Sequence, residues 1–335
     1  MQLIRAGSLV SCRCGVRLAN SKITMKRSKK MRPIVVVGSI NMDLVSTATR
    51  IPMAGETLLG SSFQMHPGGK GANQAVAVAR LGYPVEMIGN LGSDLFGERL
   101  RAHLVSAGVG FTGVETAHGP TGIAAITVGS TGENCIVVTP GANAAVSPEY
   151  IERHRSILGE AGMVLAQLEI PVESVERLAE LCAHNEVPLM LDPAPACMLP
   201  ASLLKRIRWF TPNETEADFY THCGVRHLDA EGLRETAHTL LAQGPAGVIL
   251  KLGSRGTYLA AEGIERHLQT RAVEAVDATA AGDAFNGAFA VGWMLGKSAL
   301  ESARFAVTAA SISVTRAGAQ SSMPTMEEVV SRLVT

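Results

Sequence analysis

The segment Ala275–Ala290, AVDATAAGDAFNGAFA, decides how the rest of the chain is read. Val276 closes a short apolar segment that reads as the end of a strand. Asp277 and Asp283 then frame a run of small residues, and from Ala284 onward apolar side chains recur at helical spacing through Phe285, Phe289, Val291 and Met294. Asp283 is therefore expected at a helix N-terminus. Side chains as small as those of Ala280, Ala281 and Gly282 leave the backbone open to a ligand. The unpaired N–H groups of a first helical turn, with the helix dipole, form an anion site. A carboxylate at that position has two readings. It is a helix cap held by those amides, or it is a base beside a bound phosphate. In the second case the backbone stabilises the moving phosphoryl group while the carboxylate takes the proton of an attacking hydroxyl.

Composition narrows the field. The 335 residues are 47% apolar, enough for one large α/β domain or two ordinary ones, and no apolar run reaches the length of a membrane span. The 30 basic residues balance the 30 acidic ones, which argues against a protein built mainly to bind nucleic acid. With 8 Phe, 4 Tyr and 2 Trp, base-stacking platforms are not expected either. The cysteines Cys12, Cys14, Cys135, Cys182, Cys197 and Cys223 are scattered, and Cys12-x-Cys14 is not a zinc spacing, so free thiols in a reducing, cytoplasmic setting are expected. Residues 1–30 form a separate segment rich in Arg and Lys, and the first acid of the chain is Asp43. This leader is similar to an organelle transit peptide; a disordered extension, or a start codon placed too early with translation beginning at Met31, is the other reading.

Outward from the central stretch, the chain alternates strand and helix patterns. Pro33–Gly38 is a continuous apolar run that fits a buried parallel strand, and Asn41 and Asp43 follow it. Two apart on an extended segment, they point the same way. An amide beside a carboxylate donates to and accepts from vicinal hydroxyls, although Asn and Asp also serve plain turns. Short strand segments at 44–65 and a hairpin over 121–138 predict a small sheet apart from the main one. His66–Asn73, HPGGKGAN, precedes a helix expected over Gln74–Leu81. Its glycines allow close backbone approach, but it is not a Walker loop. From Val146 the βαβ rhythm returns. A strand over Met163–Gln167 runs into Glu169, and one over Pro188–Leu191 runs into Asp192. Asn213 and Glu216 share a face at a helix start, where they suit either a hydrated Mg²⁺ or a capping box. The turn Lys251-Leu252-Gly253-Ser254-Arg255-Gly256 suits backbone contact with phosphates. The expected fold is α/β, a doubly wound, mainly parallel, Rossmann-like sheet with a small β-sheet lid, spanning residues 31–335.

The stretch D-A-T-A-A-G-D at 277–283 resembles the signature of the ribokinase-like carbohydrate kinase family, D-T-x-x-A/G-G-D. GGKGAN at 68–73, AQLE at 166–169, TPNETE at 211–216 and LGSRG at 252–256 resemble further family motifs in the same order, from Met31 to the C-terminus. The sequence departs from the family at Ala278 and at Lys251, where Thr is usual. The resemblance implies ATP-dependent phosphorylation of a sugar hydroxyl, D-ribose to D-ribose 5-phosphate. Deoxyribose, another sugar or a nucleoside is the alternative acceptor, and a non-catalytic binding module is the alternative class. Asp283 would be the base and Ala280, Ala281 and Gly282 the anion hole. Asn41, Asp43, Gly69, Lys70, Asn73 and Glu169 would hold sugar together with Asp283. Asn213 and the Lys251–Gly256 turn, with Gly282, would hold ATP, and Asn213 and Glu216 its Mg²⁺. Asp277, Thr279, Ser313, Arg316, Gly318 and Ser322 would surround an activating K⁺. The lid strands would carry a homodimer contact. No nucleic acid or membrane partner is expected.

Overall fold

The computed structural model describes residues 31–334 other than Glu262. The basic leader, with Cys12 and Cys14, lies outside the described residues. In chain order the strands are β1 (Ile34–Val37), β2 (Asn41–Thr47), β3 (Ser62–Gly68), β4 (Val85–Gly92), β5 (Gly110–Ala117), β6 (Gly122–Val128) and β7 (Asn134–Thr139). They continue with β8 (Met163–Ala166), β9 (Leu189–Leu191), β10 (Trp209–Phe210), β11 (Gly247–Lys251), β12 (Thr257–Ala261) and β13 (Ile264–Leu268).

β1 shows why the sequence folds this way. Its four residues, IVVV, are all fully buried, as a strand covered on both faces requires. Ile34 and Val36 join one core with Met87, Leu165, Phe285 and Phe289, whereas Val35 and Val37 join another with Tyr150, Val175 and Leu178. Each such side chain contributes roughly 1.5–3 kcal/mol by leaving water. The result is a three-layer α/β/α sandwich around a nine-stranded sheet ordered β13-β12-β11-β10-β9-β8-β1-β4-β5. β5 to β11 along that order are parallel; β12 and β13 add an antiparallel edge. The strand order reverses beside β1, which pairs with both β4 and β8. In such sheets the crevice beyond the carboxyl ends of the strands at the reversal receives ligands.

The small sheet is ordered β3-β2-β6-β7. Its outer strand leaves Ile136, Val137 and Val138 exposed, and Phe63 on β3 is exposed too. Asn41 and Asp43 are the first residues of β2 itself, paired across to Gly68 and His66. Two expectations need correction. The helix expected from Gln74 begins at Lys70, with Gly69 (φ 88°) just outside it, so Lys70, Asn73 and Gln74 all project from its first turns. No strand ends at Val276. Residues 269–280 run free of the sheet, and the N–H groups of Val276 and Asp277 bond instead to Val314 O, at 2.8 and 3.1 Å, at the end of the Ala299–Ser313 helix. Those bonds satisfy the same backbone donors that a sheet ladder would. Among the described residues no helix is long and apolar enough to cross a membrane.

Candidate active site

The site forms where the chain leaves β1 and β8. Glu169, just past β8, accepts from Ser39 Oγ, from Asn41 Nδ2 at 3.4 Å and from the Lys70 amide at 3.3 Å. Asn41 Oδ1 accepts from Asn143 Nδ2 at 2.7 Å, and Asn143 Oδ1 accepts from the Ile40 amide at 2.9 Å. Asn41 is thus held from both ends. The Asp43 carboxylate lies over Gly68, where any Cβ would come within 2.3 Å of it. Burial, with the nearby charges of Glu169 and Asp283, pushes its pKa up to about 7. Gly69 tucks against β2, with a would-be Cβ only 2.7 Å from the Asn41 amide.

Asp283 is the third residue of the Ala281–Met294 helix, and Ala280 before it takes the left-handed conformation (φ 58°). No side chain caps this helix. The Asp283 carboxylate is 4% exposed and points across to the Lys70–Arg80 helix, accepting from Asn73 Nδ2 and Gln74 Nε2, both at 3.0 Å. It makes no capping bond, so the Gly282 and Asp283 amides stay available to an anion; the Ala281 amide, expected in the anion hole, donates instead to Ala278 O at 3.2 Å. The two helices meet closely because both are lined with small residues. A Cβ on Gly287 would lie 2.7 Å from Ala77 Cβ, and one on Gly71 would lie 2.7 Å from the Gly38 carbonyl carbon.

Burial pushes the Asp283 pKa up to about 6, with Asp192 adding to the rise and Lys70, Asn73 and Gln74 opposing it. Burial works against the charge of Lys70, but Asp283, Asp192, Glu169 and Glu216 outweigh it and keep the ammonium firmly protonated.

On the other side, Asn213 and Glu216 form a complete capping box. Glu216 Oε2 accepts from the Asn213 amide at 2.7 Å, and Asn213 Oδ1 accepts from the Glu216 amide at 2.8 Å. Burial raises the Glu216 pKa, and so does Asp192; Lys251 works against the rise. Two carboxyl groups close enough to perturb each other are a hard-oxygen donor set that fits Mg²⁺. Lys251 Nζ donates to Asp192 Oδ1 at 2.7 Å, and a Cβ on Gly282 would come within 3.4 Å of the same ammonium. Lys251 therefore reaches the start of the Ala281–Met294 helix. Arg255 turns inward, to the carbonyls of Val225 and Leu228 and to Glu214. Leu252 is buried, so the Gly253–Gly256 turn offers its backbone and the exposed Ser254.

The 277–279 and 313–322 segments also meet. Asp277 Oδ1 accepts from the Thr279 amide and hydroxyl, at 2.8 and 2.6 Å, and Oδ2 from the Gly318 amide at 2.8 Å. Ser313 and Ser322 bond back to Ala310 and Ala319, and Arg316 pairs with Glu328. Of the residues expected around a monovalent ion, Asp277, Thr279 and Gly318 are thus bonded to one another, while Ser313, Ser322 and Arg316 bond elsewhere. Three residues bonded within the cluster carried no signal of their own in the sequence: Ser39, Gln74 and Asn143. Asp192 did carry one, because it follows a buried strand just as Glu169 does, but it was given no role.

The pfkB family carbohydrate kinase model matches residues 31–326. The ribokinase of Bacillus subtilis is 42% identical over 300 residues, covering 89% of this chain and 98% of that one. The ribokinase of Haemophilus influenzae is 39% identical over 300 residues, covering 89% and 97%. The structure of Arabidopsis thaliana ribokinase complexed with ribose and ATP superposes with a TM-score of 0.84 at 36% identity, covering 91% of this chain and 99% of that one. Carrying a buried carboxylate at a helix N-terminus within this architecture, the chain belongs to the pfkB family of carbohydrate kinases.

Proposed function

We propose that the protein is a ribokinase, transferring the γ-phosphoryl group of ATP to the 5-hydroxyl of D-ribose to give D-ribose 5-phosphate and ADP. The observation that carries this reading is Asp283: buried, uncapped, and held by Asn73 and Gln74 beside the open amides of its helix. The ribose oxygen attacks the γ-phosphorus as the bond to the β-phosphate oxygen breaks. Asp283 takes the hydroxyl proton, and the Gly282 and Asp283 amides receive the charge on the transferring group. Lys251 flanks the phosphates, and Lys70, among Asp283, Asp192, Glu169 and Glu216, stands with the sugar-binding residues. Asn41, Asp43 and Glu169 hold the sugar hydroxyls, and Gly69 brings the backbone close to them. Asn213 and Glu216 would hold Mg²⁺, which supplies charge neutralisation along the polyphosphate when bound. Support for ribose comes from the ribokinase relatives and from Asn41, whose amide suits a hydroxyl that deoxyribose lacks.

A panel of ribose, deoxyribose, other sugars and nucleosides with Mg-ATP, read as ADP release, tests the assignment. Ribose should give the highest kcat/KM, and deoxyribose in first rank would overturn it.

The reading extends to three further features. K⁺ bound between 277–279 and 313–322 fixes the anion-hole loop, so replacing potassium by sodium in the assay should lower kcat several-fold while leaving the sugar KM nearly unchanged. Equal rates in both salts would remove the ion from the mechanism. The exposed apolar residues of β3 and β7 support a homodimer through the small sheet. The free thiols of Cys135, Cys182, Cys197 and Cys223 support a cytoplasmic setting.

A further inference from the structure

Both side chains that donate to Asp283 end in amides, and an amide turned end for end keeps its shape while exchanging donor for acceptor. Turned, Asn73 or Gln74 would present an oxygen to the carboxylate and repel it. In each case a more distant glutamine blocks the turn. Gln320 Nε2 donates to Asn73 Oδ1 at 3.0 Å, while Gln320 Oε1 accepts from His103 Nε2 at 2.8 Å. On the other arm Gln167 Nε2 donates to Gln74 Oε1 at 2.7 Å. With their oxygens occupied, Asn73 and Gln74 can offer only N–H to Asp283. Both glutamines are buried, Gln167 completely. Gly38 makes the room for Gln167, since a Cβ there would lie 2.0 Å from Gln167 Oε1.

We infer that Gln320 and Gln167 are positioning residues for phosphoryl transfer, acting through Asn73 and Gln74 to hold the Asp283 carboxylate with one donor on each oxygen. The inference rests on the reading of Asp283 as the base. Each arm is a chain of hydrogen bonds running in one direction into the carboxylate, so the bonds polarise one another; Gln74 Nε2 also donates to Asp192 Oδ2 at 3.2 Å, a second acceptor that the turned amide would lose. A base held this way stays aligned while its surroundings exchange substrate for product. The charged groups facing Asp283 are Lys70 from the Lys70–Arg80 helix, Asp192 from the end of β9 and Asp43 from β2. Changing a glutamine to methionine leaves all three in place and adds no charge, so an altered pH profile in the Met variants reports on the relay, whereas the Glu variants add a carboxyl of their own.

The test compares Met and Glu at each position. Gln320→Met and Gln167→Met remove the outer donor at nearly constant volume. Gln320→Glu and Gln167→Glu keep the shape but put an acceptor where the donor was, which favours the turned inner amide. The expected result is a kcat about 10-fold lower for the Met variants and lower still for the Glu variants, with sugar and ATP KM within about threefold of wild type. The acid limb of the kcat profile should move to higher pH in the same order. Melting temperature, measured on the same preparations, controls for packing. Asp283→Asn serves as the reference. If it keeps its turnover, the base reading fails and the relay with it. If it is inactive while all four glutamine variants keep the wild-type kcat and acid limb, or lose kcat only in step with melting temperature, the relay alone is wrong.

Discussion

Asp283→Asn should fold, bind sugar and ATP with near wild-type affinity, and lose about 10²–10⁴-fold in kcat, the usual effect of removing a general base. Asparagine keeps the size and one acceptor oxygen but cannot take the hydroxyl proton. Its amide also meets one of the two N–H donors, Asn73 or Gln74, so a modest structural cost is expected. The pH dependence separates this cost from the charge. The Asp283 carboxyl has an ordinary pKa of 3.8 and is raised to about 6 by burial. A raised carboxyl stabilises the fold fully below its ordinary pKa and loses that contribution as pH rises through the folded value. The wild type therefore carries at pH 8 a charge cost that the variant lacks, on the order of 3 kcal/mol at 1.36 kcal/mol per pH unit. Between pH 4 and pH 8 the melting temperature of Asp283→Asn should improve relative to wild type. The same titration should make wild-type kcat/KM, which reports groups of the free enzyme, fall as pH drops through about 6. A variant that remains intact and keeps kcat within a few-fold would show that Asp283 is not the base.

The second large effect is expected at Asp43. Its carboxylate sits 9% exposed above Gly68, with the like charges of Glu169 and Asp283 nearby. Sugar hydroxyls would supply the donors it lacks. Asp43→Ala removes charge-assisted bonds in a buried site, and kcat/KM for the sugar should fall by about 2–4 kcal/mol, roughly 30- to 1,000-fold. ATP affinity in the absence of sugar should barely move. Sugar affinity of the wild type should rise with pH through about 7, where Asp43 ionises. Matching losses for both ligands would make Asp43 a structural residue of β2 instead.

Much of the fold was legible in local pattern. The run IVVV announced a strand buried on both faces, and the small sheet was readable from short strand segments that broke the βαβ rhythm. The place of Asp283 at a helix start was legible because a carboxylate followed three small residues and preceded an apolar helical pattern. What local pattern missed has two physical origins. The glycines at 68, 69 and 71 read as a loop, yet Gly68 ends β3, Gly69 alone stands between strand and helix, and Gly71 is helical and small because Gly38 packs against it. Val276 read as strand because it is β-branched, but its N–H found a helix carbonyl. The amides around Asp283 were beyond reach for a different reason. Gln74, Gln167 and Gln320 acquire their meaning from partners 93 to 247 residues away in sequence. A glutamine carries no spacing that announces such a partner.

The crowding of acids around Lys70 has a consequence for what may enter. Asp43, Glu169, Asp192, Glu216 and Asp283 share one small volume with only Lys70 and Lys251 to balance them. An uncharged sugar crosses that field at no electrostatic cost. On the proposed reading, that excess of acids would favour a polyphosphate already partnered with a divalent cation over a bare one, a choice made by charge at a distance and strengthened as Asp43 and Asp283 ionise.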